Sequence, residues 1–537
     1  MRQQNLRYTA YKAIAHLIAT ALLAVACAGI LPTAAHAQST RQVNALLDAW
    51  RMKEAKQSLE SFTQKNGEDS ADALYLKGRF AFFEGDYGEA VKLMDRAIAK
   101  SSDNAMWKAD REIIDATREV TKSYEKHTSP DGKFIVYIEP GRDRVLLPYA
   151  FEALDAAYDE LGKELGHYPE TPIRVEVYPT TATLARVSSL TEEEIRTSGT
   201  IALCKYNRLM ITSPKALLRG YGWVDTLVHE YVHYIINHKT QNRVPIWMHE
   251  GMAKYLERRW RGDGANRLAP SYEHLLRKRV DANDLITFAQ MHPSMAKLPS
   301  QDDAAVAFAE VYTVMEYLRG EVGEGAFAKV LDGINEGLDA QQAFARPLST
   351  TFPEFEKKWQ AYLKTRPRVD FPDGETGFDE KLRFKDENGD AALTDLKQIP
   401  KPAARDHMHL GQMLQTRSRY KAAIVQYQKA AALMGDKNPL LQTRMAQCFM
   451  AIDRPKDALL ALEPVRDTYP SYVVTWLELG RAQIANKQWS AARDNLLEAA
   501  RINPFDPEVH ELLAKAYEGL GQKELAARER KLRALVM

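Results

Sequence analysis

Three residues near the middle of the chain have the types and the spacing of a metal site. His229 and His233 are four residues apart, so on a helix they share one face and both imidazoles can reach one ion. Glu230 lies next to His229, where its carboxylate can hold a water bound to that ion. In this H-E-x-x-H arrangement the glutamate acts as the general base for a metal-activated water. The spacing therefore predicts a metal-dependent hydrolase.

A catalytic zinc needs a third protein ligand and an open position for water. Glu250 is the best candidate, because Pro245 suits the start of a second helix and the loop "HKTQNR" allows that helix to fold back. We expect His238 and His249 to be surface or outer residues and not ligands, so their replacement by alanine should change zinc affinity little. Asn237, one turn after His233, is expected to hydrogen-bond in the outer layer of the site.

These motifs resemble a known family. "HEYVH", followed by "WMHEGMAKY", resembles the gluzincin zinc metallopeptidases of the peptidase-MA-like group, which are distantly similar to aminopeptidase N and thermolysin. The second motif of these relatives, W-x-x-E-G-x-A-x-Y, is matched by Trp247, Glu250, Gly251, Ala253 and Tyr255. The resemblance implies Zn²⁺ held by His229, His233 and Glu250, with Glu230 as the base. It also implies a hairpin above the first helix, whose strand 208–212 would bind substrate as an added strand.

Two departures from the family refine the prediction. Relatives of aminopeptidase N carry G-x-M-E-N upstream, and nothing between Gly199 and Val228 matches it, which favours an endopeptidase. Relatives also have a tyrosine on a later helix that stabilises the oxyanion, and the aligned position holds Phe308. Tyr312, one turn further on, is the candidate for that catalytic role. The alternative is a tyrosine that faces the core of an amphipathic helix.

The C-terminal part repeats itself with a period close to 34 residues. Small residues recur at Gly411, Ala446, Gly480 and Ala514, with spacings of 35, 34 and 34. This resembles the tetratricopeptide repeat (TPR), a helix-turn-helix unit, and predicts about four repeats over 403–537. A similar unit lies in a helical region over 41–125. The resemblance implies a groove that binds a protein partner, and we interpret His407, His409 and His510 as surface residues of the repeats.

The middle region, 128–367, lacks this period and is the predicted peptidase domain. "GKFIVYIE" and "PIRVEVYP" alternate and are β-branched, which predicts strands, and "GTIALCKYNRLMIT" predicts a hairpin turning near Tyr206 and Asn207. Residues 368–402 are rich in Asp, Gly and Pro, which favours a linker and repeats that can be removed without harm to the peptidase. The expected fold class is mainly α, with an α+β peptidase domain flanked by TPR helical hairpins.

The N-terminus has the pattern of a secretion signal over 1–37. Three basic residues precede an apolar run, and Ala35-His36-Ala37 forms an A-x-A cleavage site. We expect a periplasmic or secreted protein without a stable membrane span in the mature chain, the alternative being a lipid anchor at Cys27. The net charge of +1 gives no basic domain that would favour nucleic acid.

Together these features predict a secreted or periplasmic zinc metallopeptidase, with protein or peptide substrates and repeats that recruit a substrate or partner protein. The alternative is a catalytically inactive, peptidase-like TPR scaffold or chaperone of the cell envelope. The phenylalanine at position 308 favours that alternative, and the intact H-E-x-x-H favours the enzyme.

Overall fold

The computed structural model describes residues 32–262, 264–295, 298–369, 371–372, 378, 382–385, 396–397 and 399–537. The expected signal segment up to residue 31, with Cys27, lies outside the described residues. The described chain is mainly helical with one five-stranded sheet, so the predicted mainly α class with an α+β middle is confirmed. No helix among the described residues has both the length and the apolar character needed to cross a membrane.

The N-terminal region consists of five helices packed as antiparallel neighbours. They are α1 (Pro32–Asp48), α2 (Met52–Asn66), α3 (Ala71–Glu84), α4 (Tyr87–Lys100) and α5 (Ala105–Thr121). The Ser70 side chain caps α3 by accepting from Ala73 N, and Gly85 ends that helix in the left-handed conformation. A Cβ on Gly78 would lie 3.1 Å from Met94 Cγ, so a small residue is what lets α3 and α4 pack this closely.

The sheet has the order β1-β2-β3-β5-β4. The strands are β1 (Glu125–Thr128), β2 (Phe134–Ile138), β3 (Ile173–Tyr178), β4 (Ala202–Lys205) and β5 (Arg208–Thr212). Strands β2, β3 and β5 are parallel, while β1 and β4 are antiparallel to their neighbours. A short 3₁₀ turn (Arg142–Leu146) and α6 (Leu147–Leu165) connect β2 to β3, and α7 (Thr181–Arg186) and α8 (Glu192–Ser198) lead to β4.

The β4–β5 hairpin turns at Tyr206 and Asn207, as predicted. Both residues have positive φ, 55° and 58°, the backbone of a two-residue turn that matches the twist of the strands. The expectation that β5 receives a substrate strand is wrong, because β5 lies between β3 and β4 and its backbone is paired on both sides. Of the two hairpin strands, β4 is the one at an edge of the sheet, and β1 forms the other edge.

Helices make up the rest of the middle region. They are α9 (Trp223–Thr240), α10 (Ile246–Leu256), α11 (Pro270–Ala282), α12 (Gln301–Val322), α13 (Ala326–Asn335), α14 (Ala340–Ala345) and α15 (Phe352–Thr365). Helix α9 contacts β4 and β5, α6, α10 and α13. Helix α10 packs on α12, and Gly251 allows this, because a Cβ there would lie 2.8 Å from Met315 Cε and 3.0 Å from the Val311 carbonyl oxygen.

The C-terminal region forms four helical hairpins. Their helices are α16 (Pro402–Thr416), α17 (Tyr420–Met434), α18 (Pro439–Ala451), α19 (Pro455–Thr468), α20 (Val473–Ala485), α21 (Trp489–Ile502), α22 (Pro507–Gly519) and α23 (Lys523–Val536). A Cβ on Gly480 would lie 2.4 Å from Leu496 Cγ. The recurrent small residues of the sequence are thus the contact points between the two helices of a hairpin.

These hairpins dock on the peptidase region. Tyr221 N donates to the Ile502 carbonyl oxygen at 3.1 Å, and Trp223 Nε1 donates to that of Ala500 at 3.3 Å. The Tyr149 hydroxyl donates to Glu529 at 3.1 Å. The interpretation of His510 as a surface residue is wrong, since its side chain is fully buried and its Nδ1 lies 2.8 Å from Glu529 Oε2.

Much of the expected linker 368–402 lies outside the described residues, but the part that is described is packed. Leu217 and Phe384 form a β-bridge, and Leu218 N donates to the Arg383 carbonyl oxygen at 2.9 Å. Phe384 and Ile399 are buried. The hydrogen bonds of Tyr221 and Trp223 to the repeats argue against the expectation that the repeats can be removed without harm to the peptidase.

Deleting 403–537 should destabilise the peptidase region. The deletion exposes the buried indole of Trp223 and removes the acceptors of Tyr221 N and Trp223 Nε1. The newly exposed apolar area and the two lost hydrogen bonds should lower the free energy of unfolding by at least about 2 kcal/mol. For a domain of this size that lowers the Tm by about 4 °C or more, measurable by calorimetry. The matched control is the full chain with Leu460→Ser, a substitution at an exposed position in the repeats. A truncated protein with the same Tm as this control contradicts the prediction.

Candidate metal centre

Helix α9 supplies the two histidines and the adjacent glutamate. Its sequence is apolar around them, and Leu227, Val228 and Val232 are buried against neighbouring elements. One helical turn separates His229 from His233, so their rings lie 4.7 Å apart, centroid to centroid. The side chains are only 12% and 11% exposed, so both imidazoles are largely buried.

Helix α10 brings Glu250 to the same point. Pro245 stands at its N-terminus, and the chain reverses between α9 and α10 at Gln241 and Asn242, which both have positive φ. Glu250 Oε2 lies 3.2 Å from His229 Nε2 and 3.4 Å from His233 Nε2. The structure therefore brings together the three residues that the sequence predicted as ligands.

The donor set of this cluster fits a divalent metal. One ligand atom from each of the three residues lies within 4.8 Å of the others. Two imidazole nitrogens and one carboxylate oxygen form a common catalytic zinc set. Burial lowers the pKa of His229, but hydrogen bonds to Glu250 and Glu257 outweigh it and raise the pKa to about 10. A site that holds a proton between imidazole and carboxylate in this way suits a cation that replaces the proton.

Glu257 orients His229 by contacting the ring nitrogen that faces away from Glu250, a role that the sequence analysis missed. Its Oε2 lies 3.1 Å from His229 Nδ1, and its Oε1 accepts from Lys254 Nζ at 2.7 Å. With Nδ1–H donating to Glu257, the proton that a metal would displace is the one on Nε2, and its loss leaves the lone pair of His229 facing Glu250. The sequence pattern could have predicted this role, because Glu257 is seven residues after Glu250 and both fall on one face of a helix.

His249 and Asn237 stand behind His233. His249 Nδ1 lies 2.7 Å from His233 Nδ1, and His249 Nε2 lies 2.7 Å from Asn237 Oδ1. Burial, and then the neighbouring His233, lower the pKa of His249 to about 3, so this imidazole is neutral. Both ring nitrogens of His249 are thus engaged by His233 and Asn237, and the expectation that His249 is not a ligand stays a prediction. Its contact with His233 argues against the expectation that its loss leaves zinc affinity unchanged.

The buried carboxyl of Glu230 interacts electrostatically with the two histidines. Burial raises the pKa of its carboxyl, with smaller opposing contributions from His233 and His229. Burial also raises the pKa of the Cys204 thiol, and the charge of Glu230 raises it further. Because Cys204 belongs to β4, the charge of the proposed base acts on the edge strand as well as on the two histidines.

His238 stabilises the hairpin and does not join the cluster. Its Nε2 lies 2.9 Å from Asn207 Oδ1, and the Tyr234 hydroxyl donates to the same oxygen at 3.1 Å. Asn207 is a residue of the β4–β5 turn, so α9 holds the edge strand in position from below. This agrees with the prediction that His238 is not a ligand.

Helix α12 places a phenylalanine beside the cluster. The ring of Phe308 lies 6.4 Å from the ring of His229, in an edge-on orientation. The ring of Tyr312, one turn later, lies 5.3 Å from that of Tyr255, and its side chain is buried. The expected catalytic role of Tyr312 stays a prediction, and these contacts favour the alternative of a tyrosine in the core.

Comparison with known families agrees with this geometry. Residues 153–365 match the family model described as Peptidase MA superfamily. Residues 40–105 and 453–516 match two tetratricopeptide repeat models. The chain thus contains a Peptidase MA superfamily domain with tetratricopeptide repeats on both sides, which confirms the resemblance and the predicted fold class. Such repeats typically bind other proteins.

Solved structures show only distant similarity. Native leukotriene A4 hydrolase from Saccharomyces cerevisiae is 14% identical, with 77% of this chain and 67% of that chain covered and a TM-score of 0.31. The MamA protein is 19% identical, with 26% of this chain and 79% of that chain covered and a TM-score of 0.23. A search of curated proteins found no match. Scores this low transfer neither an activity nor a substrate.

Replacing Glu257 should weaken metal binding without removing a ligand. In Glu257→Ala, His229 loses the acceptor of its Nδ1–H, and partners of this kind typically contribute 10- to 100-fold in metal affinity. We expect the Zn²⁺ dissociation constant to rise by about 10- to 100-fold, measured by competition with a chelator. Glu257→Gln keeps an acceptor oxygen, so its Zn²⁺ affinity should fall less than that of Glu257→Ala. Glu321→Ala, an exposed position on α12, is the control; equal affinities in Glu257→Ala and this control contradict the role of Glu257.

Proposed function

We propose that this protein is a zinc-dependent endopeptidase whose repeats recruit a substrate or partner protein. The observation that carries the proposal is the convergence of His229 Nε2 and His233 Nε2 on Glu250 Oε2, with Glu230 beside them. The match of residues 153–365 to a peptidase superfamily supports the same class of reaction.

A zinc ion bound by His229, His233 and Glu250 would supply a water of lowered pKa and polarise the scissile carbonyl. Glu230 would be the group that takes a proton from the attacking water and delivers it to the nitrogen of the leaving amine. Its carboxylate is suited to both transfers because it lies next to the ligands without being one of them. Glu230 and the apolar side chains around it on α9 are buried, which keeps bulk water away from its carboxylate.

The edge strand supports an extended peptide as the substrate. In the β4–β5 ladder, Thr212 N donates to the Ile201 carbonyl oxygen. Strand register alternates, so the backbone groups of Ala202 and Cys204 point away from β5, toward the open edge. A peptide paired with them as an added strand would pass beside Glu230. With no G-x-M-E-N glutamate between Gly199 and Val228 to bind a free amine, cleavage within a chain is favoured over removal of its first residue.

The signal-like N-terminus supports a periplasmic or secreted location as part of this proposal, with a lipid anchor at Cys27 as the alternative. One observation favours a second function, an inactive peptidase-like scaffold or chaperone of the envelope. Phe308 lies beside His229, where it offers no hydroxyl to a developing oxyanion.

Glu230→Gln separates the enzyme from the scaffold. Because Glu230 is proposed as the base and not as a ligand, the variant should keep one zinc per chain, measured by elemental analysis. Hydrolysis of casein or of a quenched peptide should fall at least about 100-fold. Glu250→Ala should lose the metal. Activity of Glu230→Gln within about tenfold of wild type contradicts its role, and a folded wild type that takes up no zinc contradicts the whole proposal.

Tyr312→Phe tests the remaining catalytic assignment. Given the contact with Tyr255, we expect kcat to stay within about threefold of wild type, since removing a true oxyanion donor costs about 100- to 1,000-fold. Phe308→Tyr, which adds a hydroxyl to the ring beside His229, is the companion variant, and we expect it to raise kcat. A fall of 100-fold or more in Tyr312→Phe restores the oxyanion role to Tyr312.

A further inference from the structure

We propose that Asn237 and His249 are positioning residues that hold His233 in the tautomer whose Nε2 lone pair faces the metal. This inference rests on the proposed zinc function and deepens it, because it assigns a role to two residues outside the ligand set.

The three side chains form one hydrogen-bonded line inside the protein. Asn237 lies on α9, one turn after His233, and His249 lies on α10 next to Glu250. Asn237 Oδ1 is 2.7 Å from His249 Nε2, and His249 Nδ1 is 2.7 Å from His233 Nδ1. All three side chains are buried, so water does not compete for these contacts.

The chemistry of the three side chains determines which atom donates and which accepts in each hydrogen bond. An amide oxygen only accepts, so the hydrogen between Asn237 and His249 is on His249 Nε2. A neutral imidazole carries one N–H, so His249 Nδ1 has a lone pair and accepts from His233 Nδ1–H. The lone pair of His233 is then on Nε2, the atom that lies 3.4 Å from Glu250 Oε2. The reverse direction would put a hydrogen on Nε2 and block the ligand.

The line also fixes the ring of His233 in space. Without His249, the buried Nδ1–H of His233 has no acceptor there, and the ring is free to rotate or to change tautomer. Outer partners of this kind typically contribute 10- to 100-fold in metal affinity. Glu257 does the same for His229, so α10 and the residue that follows it provide the Nδ1 partner of each histidine as well as the third ligand.

His238 offers a matched control on the same helix. It is largely buried, and its Nε2 lies 2.9 Å from Asn207 Oδ1, an amide oxygen like that of Asn237. It bonds to Asn207, and its ring packs against Tyr234 and Trp50, residues that do not belong to the cluster. A general effect of removing a buried histidine from α9 would appear in this control.

The experiment measures Zn²⁺ affinity by chelator competition on the full chain, with the visible spectrum of the Co²⁺-loaded protein as a second readout. His249→Leu and Asn237→Leu should each weaken Zn²⁺ binding by about 10- to 100-fold and change the Co²⁺ bands. His249→Gln can accept from His233 and donate to Asn237, and Asn237→Asp can only accept. Both conservative variants should bind Zn²⁺ within about threefold of wild type, and so should His238→Leu.

Each contrary result has one meaning. Wild-type affinity in His249→Leu and Asn237→Leu overturns the inference and leaves the zinc proposal intact. A loss in Asn237→Asp or His249→Gln equal to that of the leucine variants, in proteins that melt normally, also overturns it, because any substitution would then suffice. If His249→Leu does not fold, the comparison of Zn²⁺ affinity between Asn237→Leu and Asn237→Asp tests the inference. A wild type that binds no Zn²⁺ overturns the proposed function, and the inference with it.

Discussion

The structure depends on the burial of one helix, α9, on nearly all of its sides. The β4–β5 hairpin covers it from above, α6 and α13 flank it, and α10 folds back along it. Tyr231 and Ile235 are fully buried in this packing. Burial fixes the rotation of α9 about its axis, and that rotation decides which of its polar residues can converge with Glu250. A helix free to turn by one residue position, about 100°, would separate the two histidines from their third partner.

Helix α10 completes the site through three positions. Glu250 offers the ligand oxygen, Glu257 accepts from His229, and His249 contacts His233. Gly251 lets this helix approach α12 without a side chain between them. One short helix therefore sets both the ligand and the orientation of the other two ligands, so a small change in its packing acts on the entire cluster.

The repeats contact both ends of the same helix. At its start, Trp223 bonds to the last turn of α21. Toward its end, Trp50, which follows α1, packs against Tyr234 and His238. Phe82 and Phe83 of α3 pack on Tyr206 in the hairpin turn. The regions that resemble protein-binding repeats are thus in direct contact with the supports of the candidate site, and stability of the site depends on them.

The sequence by itself determined what local pattern can encode. The four-residue spacing of His229 and His233, the 34-residue period and the turn at Tyr206 and Asn207 each reflect a regular backbone, and the structure has the helices and the hairpin that they predict. Glu250 could be predicted because its helix begins at a proline and its stripe is apolar. All of these features lie within one element or between neighbours in the chain.

Only the tertiary structure decided the rest, because these contacts join residues far apart in sequence. Strand order made β4 the edge and β5 an inner strand, and no local pattern distinguishes the two. The packing of α10 on α9 turned His249 toward His233, and the docking of the last hairpin placed Tyr149 beside Glu529 and His510. A histidine in a helix has the same local sequence signal whether it faces solvent, a metal or another histidine. Which of these it meets depends on the elements that pack against it, and that is fixed only when the whole chain folds.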